Sequence, residues 1–196
     1  MYYGNGNNNV AIGTNANYNG TKSEATYTGT TAVGHNAQAI SLNSTAIGRE
    51  SIAGTAGSND YFANAVAVGY KANATGAYAV SIGDNSNATA FGGTALGRMA
   101  HSTSDNAVAI NGTATGFASV AMGIGSSSSG NSSVAIGNRT SSSNLSAIAI
   151  GLDAQAAGSE SVAIGSNTNA NGYRNTAIGT NACRFVNGSN KTCIGA

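Results

Sequence analysis

Large apolar residues in this chain are rare and regularly placed. A four-residue unit of a β-branched residue, a small residue, a larger apolar residue and glycine recurs thirteen times. It reads VAIG ending at Gly13, TAVG at Gly34, TAIG at Gly48, VAVG at Gly69, VSIG at Gly83 and TALG at Gly97. It continues as VAIN at Asn111, VAMG at Gly123, VAIG at Gly137, IAIG at Gly151, VAIG at Gly165, TAIG at Gly179 and TCIG at Gly195. Successive copies are spaced 21, 14, 21, 14, 14, 14, 12, 14, 14, 14, 14 and 16 residues apart. The period is fourteen, and such periodicity is the mark of a repeat architecture. β-branched residues favour extended backbone, so each unit predicts a short strand. Alternation then places its first and third side chains on one face and its small middle residue on the other. From this pattern the bulky face is expected to be buried. The opposite face is expected to be approached so closely that only small residues fit.

A second short strand is predicted between each strand glycine and a further Gly seven residues later, as at Gly76, Gly130, Gly158 and Gly172. These glycines are expected to take positive φ. The intervening positions carry small residues, for example Ala72 and Ala74, Ser126 and Ser128, and Ala154 and Ala156. Each repeat is therefore two strands and two turns, one coil of an all-β, parallel β-solenoid. A single β-roll domain over 1–196 is expected, regular from about 10 to 195, with an irregular end at 183–192. A coil this thin buries little apolar surface. A homo-oligomer is expected, with the small columns meeting near its axis.

Composition removes other classes. Charged residues are 8% of the 196, the formal net charge is +1, and there is neither Pro nor Trp. An ordinary globular domain carries about 25% charged residues. No basic stripe is present, so no nucleic-acid partner is expected. No apolar run is long enough for a transmembrane helix, so no membrane insertion is expected within the chain. The start, MYYGNGNNN, lacks the basic and apolar regions of a secretory signal. No nucleophile elbow, phosphate loop or zinc-binding His pair appears, so no enzyme activity, catalytic residue, metal or cofactor is expected.

The repeat SVAIGSNTNANG, Ser161 to Gly172, resembles the head repeats of YadA-like trimeric autotransporter adhesins. The resemblance extends from about Val10 to Gly195. It implies a left-handed parallel β-roll assembled as a homotrimer. It also implies attachment to a host surface protein, matrix or glycan, from an extracellular position on a bacterial outer membrane. Similar repeats occur in bacteriophage tail fibres. A virion fibre segment, as spacer or receptor binder, is thus a second expectation, consistent with free thiols in a reducing cytoplasm. An ice-binding solenoid is a third, although the turn positions form no regular Thr ladder.

Two seven-residue insertions, within 18–30 and 52–64, hold the candidate partner-binding residues Tyr27, Asp60, Tyr61 and Phe62. Exposed aromatics are enriched in binding hot spots. The alternative is local capping, or an extra half-coil, which a length of half a period favours. Cys193 stands in the small middle column as an Ala substitute. A bond to Cys183 requires that the two be neighbours in space, which sequence does not determine.

Overall fold

The computed structural model describes residues 8–17, 28–55, 64–184 and 188–195. Among these every regular element is a short strand, and the paired strands run parallel. The chain divides into two compact units, Met1–Ala100 and His101–Ala196.

In the first unit, six three-residue strands stack in chain order: Val10–Ile12, Thr31–Val33, Thr45–Ile47, Val66–Val68, Val80–Ile82 and Thr94–Leu96. A second sheet stacks the two-residue strands Gln38–Ala39, Ile52–Ala53, Asn73–Ala74 and Asn87–Ala88. The second unit repeats the plan. Its three-residue strands run from Val108–Ile110 through Val120–Met122, Val134–Ile136, Ile148–Ile150, Val162–Ile164 and Thr176–Ile178 to Thr192–Ile194. Its two-residue strands run from His101–Ser102 to Asn169–Ala170. Equivalent repeat positions pair, as in Ile148 with Val162, Ala149 with Ala163 and Ile150 with Ile164. The architecture is a parallel β-solenoid with coils of about fourteen residues.

Both turns of a coil have the same design. In the first, the Ala72 N–H donates to the Gly69 carbonyl at 3.4 Å, and Lys71 between them has φ of 52°. In the second, the Ala79 N–H donates to the Gly76 carbonyl at 3.1 Å, and Tyr78 has φ of 59°. A hydrogen bond from the fourth residue to the first, with positive φ at the third, marks a type II turn. Asn is the commonest non-glycine residue at these left-handed positions, as at Asn15, Asn36, Asn85 and Asn167. Its short amide tolerates that conformation best after Gly. The abundance of Asn therefore has a backbone cause. The second-turn glycines Gly76, Gly130, Gly158 and Gly172 lie outside the left-handed region, contrary to expectation. Positive φ falls two residues later, on Tyr78, Ser132, Glu160 and Arg174.

The orientation of the first strand is the reverse of the expected one. The middle Ala is inside and fully buried, at Ala46, Ala67, Ala95, Ala121, Ala135, Ala149 and Ala163. The Val and Ile columns point away from the coil and are half-buried to exposed. The interior between the two sheets is filled by this Ala column and by small residues of the second strand, such as Ala72, Ala74, Ala154 and Ala156. Facing strands of one short coil leave room only for small side chains, as in the four fully buried residues Ala147, Ala149, Ala154 and Ala156. At several positions where Ser replaces Ala, the hydroxyl is satisfied internally, whereas the buried Ser41 and Ser126 hydroxyls have no partner. Ser81 and Ser86 bond each other at 2.7 Å, and Ser133 donates to the Gly130 carbonyl at 2.7 Å. A buried hydroxyl without such a partner costs free energy, so these bonds offset the cost of enclosing Ser at those positions.

Register irregularities are absorbed in turns. The twelve-residue coil lacks two turn residues: Asn111, at φ 50°, takes the left-handed position and Gly112 takes the buried one. Pairing of Val108 with Val120 and of Thr113 with Ser127 is retained. At the second insertion, Thr45–Ile47 pairs directly with Val66–Val68, and Ile52–Ala53 pairs with Asn73–Ala74. No half-coil rung therefore stands between these strands; residues 56–63 lie outside the described residues. At the first insertion, Val10 pairs directly with Thr31 in the same way. Asn17 ends the second sheet there. Its side-chain oxygen accepts from the Ala39 N–H at 2.7 Å, where a backbone carbonyl of a further rung would stand.

Candidate functional site

The four candidate partner-binding residues, Tyr27, Asp60, Tyr61 and Phe62, lie outside the described residues. The functional surface that can be built is the outside of the solenoid, and it has three parts.

The first is the apolar column of the three-residue strands. Ile47, Ile82, Ile164 and Ile178 are among its exposed members, at 39, 41, 37 and 42%. Within each unit, a stacked apolar column of this kind is unusual on a monomer and is a candidate contact surface. Sequence reasoning found these residues and assigned them to the wrong side of the strand. The missed clue is that the second strand also carries small residues at both inward positions. Two small columns can close on each other.

The second part is the turn rows. Equivalent turn residues of successive coils lie one above another, so charges spaced fourteen residues apart meet. Arg139 grips Asp153 with two hydrogen bonds of 2.7 and 2.5 Å. The guanidinium of Arg174 donates to Glu160 at 2.7 Å and lies 4.7 Å from the Tyr173 ring centre. The Arg139 hydrogen bonds hold the Asp153 carboxyl below the usual carboxylate range. Tyr78 and Phe91 meet edge to face at 5.5 Å. In the first unit, Glu50 takes two cations, Arg49 at 3.0 Å and Lys71 at 3.6 Å. The Tyr70 ring centre is near both, 5.7 Å from the Arg49 guanidinium and 5.3 Å from the Lys71 ammonium. A hydrogen bond and then the charge interaction with Tyr70, followed by the Glu50 charge, raise the Lys71 pKa above its ordinary value.

The third part is the C-terminal end. Cys183 and Cys193 are joined by a disulfide, with their Cα atoms 5.5 Å apart. Cys193 is paired in register with Ala177 of the inner column. Cys183, at φ 54°, is turned inward and is 7% exposed. The bond closes the end of the Ala core that runs from Ala147 to Ala182. Among the described residues, no three His, Cys, Asp or Glu side chains are grouped to hold a metal ion. No described helix is long and apolar enough to cross a membrane.

Parallel strands in fourteen-residue coils, an Ala/Ser interior and an outward Val/Ile column define a thin repeat β-solenoid. The family model described as YadA head domain repeat matches residues 28–51, 63–86, 87–110, 114–140, 142–168 and 158–182. These segments cover more than half of the chain, and the chain belongs to the YadA head repeat family. Among solved structures, it is similar to the collagen-binding domain of the Yersinia adhesin YadA. That match is 26% identical, covers 96% of this chain and 81% of the other, and has a TM-score of 0.34. No curated protein matches significantly.

Proposed function

We propose that the chain is a non-enzymatic attachment segment that works as a homotrimer outside the cell. Membership of an adhesin-head family supports adhesion as the role. The half-exposed Val/Ile column supports the assembly. Each strand presents two β-branched or larger apolar side chains to solvent, and burial releases about 25 cal/mol per Å² of apolar surface. Three columns packed about a common axis cover one another and leave the turn rows outermost. The number three comes from the family resemblance, and the need for a cover comes from the column. The contact is made by the bulky face, so the small columns do not meet at the axis.

The paired cysteines support an extracellular location, because disulfides persist in oxidising compartments. They remove the free-thiol argument for a bacteriophage fibre. The outward turns and the insertions bearing Tyr27, Asp60, Tyr61 and Phe62 are the surface offered to a host protein, matrix or glycan.

Light scattering on the purified chain tests the assembly. The expected mass is about three times 19.1 kDa. A clean monomer overturns the trimer. Adhesion is tested by binding the assembled protein to immobilised collagen, other matrix proteins and cell-surface glycans. Failure to bind any of them, by a protein of trimer mass, overturns the attachment role.

A further inference from the structure

The row containing Glu50 differs from the other charged rows, and a cleft lies beside it. The cleft has a volume of about 550 Å³ and is lined by Asn36, Gln38, Glu50, Ile52, Lys71 and Asn73. This falls in the usual range for small-molecule sites. Three of the six lining residues are carboxamides. A carboxamide both donates and accepts, as a sugar hydroxyl does. The Asn73 amide nitrogen donates to the Asn87 carboxamide oxygen at 3.0 Å, and its own oxygen is buried, which leaves Asn36 and Gln38 as the carboxamides open to a ligand. Ile52 adds an apolar surface suited to the C–H face of a sugar ring.

Charge narrows the ligand. The Arg139–Asp153, Arg174–Glu160 and Arg98–Asp84 pairs are one cation to one anion. Here Lys71, on the cleft wall, and Arg49, beside the cleft, share the single carboxylate of Glu50, leaving one positive charge in excess. Tyr70 holds both cations near its ring, so the excess charge is positioned before any ligand arrives. An anion that also carries several hydroxyls matches this set.

We propose that the cleft binds a carboxylated sugar, a uronic or sialic acid residue of a surface glycan. The sugar carboxylate meets Lys71 on the cleft wall, with Arg49 beside the cleft adding its charge, and the sugar hydroxyls meet Asn36 and Gln38. The inference deepens the attachment reading and rests on it for biological meaning, although the site is testable alone.

The test is ligand-observed NMR and calorimetry on the whole chain with four probes: sialyllactose, methyl glucuronide, lactose and inorganic phosphate. Binding by either acidic sugar, with none by lactose and no displacement by equimolar phosphate, is the expected result. Which acidic sugar binds better identifies the source. Lys71→Asn is the informative variant, because Asn already occupies this left-handed turn position in neighbouring coils, as at Asn36 and Asn85. Loss of one charge-assisted contact is expected to weaken acidic-sugar binding about tenfold without changing thermal unfolding. Arg49→Ser is expected to act the same way. Equal binding of lactose, full displacement by phosphate, no acidic-sugar binding, or undiminished affinity in both variants overturns the site. A trimer that still adheres to matrix when the site fails leaves the attachment role standing.

Discussion

Ala149 and Ile150 are neighbours in one three-residue strand and experience opposite environments. Ala149 is fully enclosed among the inner columns, whereas Ile150 is only half-buried and faces outward. In most half-exposed sheets the larger side chain faces the core and the smaller one faces water. Here coil width reverses that rule. An interior lined only by small side chains excludes Ile, and the Ile column is left on the outside, the surface proposed for assembly. The inner column determines whether a coil forms, and the outer column determines what the coil meets.

This contrast predicts separable failures. Ala149→Leu forces three extra carbon atoms into an interior without space. Its expected cost exceeds about 3 kcal/mol, the upper part of the usual overpacking range. Circular dichroism should show loss of strand content and a collapsed melting transition. Ile150→Ser should retain the strand spectrum and lose oligomer mass. If Ile150→Ser unfolds the chain while Ala149→Leu is tolerated, the assignment of inside and outside is wrong.

Gly69 tests the close stacking of coils. It sits at φ 134°, and a Cβ there would lie 2.5 Å from the Gly83 carbonyl oxygen. Side chains rarely adopt that backbone region, and the neighbouring oxygen is backbone that has little room to yield. Gly69→Ala is expected to cost roughly 2–4 kcal/mol, combining conformational strain with displacement of the next coil. Denaturant titration measures it. A loss below about 0.5 kcal/mol, as for an ordinary surface change, would show that the rungs can part without cost.

The disulfide comes next in size. Joining residues ten apart removes about 2–3 kcal/mol of loop entropy from the unfolded chain in the entropy model. Replacing both cysteines by Ala should lower stability by about that amount. Amide hydrogen exchange should rise first in Thr176–Ile178 and Thr192–Ile194, the strands nearest that end. Exchange that rises equally in Val120–Met122 would mean that the bond acts on the whole unit rather than as a local closure.

Much of this was legible in the sequence, and the failures have a common cause. The thirteen-fold unit determined the strands, their period and their parallel stacking, because each depends on local propensity and register. Alternation also identified which residues share a face. It did not determine which face is inside, because that depends on the gap between two strands separated by a turn. Small residues at both inward positions of the second strand, such as Ala154 and Ala156, carried that information. The Cys183–Cys193 bond required the inward turn of Cys183, which a left-handed residue provides at a position that is a regular strand in earlier coils. The half-coil expectation failed for a similar reason. A length of seven fits half a period, but a sheet rung also needs partners, and Thr45–Ile47 already has Val66–Val68. The cation excess at Glu50 became visible only after the coils placed Arg49 and Lys71 on one carboxylate.

The smallest effect concerns a turn row, which the inner-versus-outer contrast treats as stability-neutral. The Asp153 pKa is lowered in the folded chain, first by its hydrogen bonds from Arg139. Folding therefore favours the ionised carboxyl. Its contribution is present at neutral pH, above the ordinary value of 3.8, and disappears as the pH falls through the lower folded value. Both side chains of the pair reach solvent, so water and salt screen the attraction. Asp153→Asn should shift the melting temperature barely measurably at pH 7. It should remove a shallow decline in stability below about pH 4, and 1 M salt should do the same to the unaltered chain. Asn suits the left-handed backbone at this position, as it does at Asn167 one coil later, so no conformational penalty masks the electrostatic effect. A large loss at pH 7 would mean that the outer turn rows help hold the coils together, and the inner column would no longer be the only determinant of coil formation.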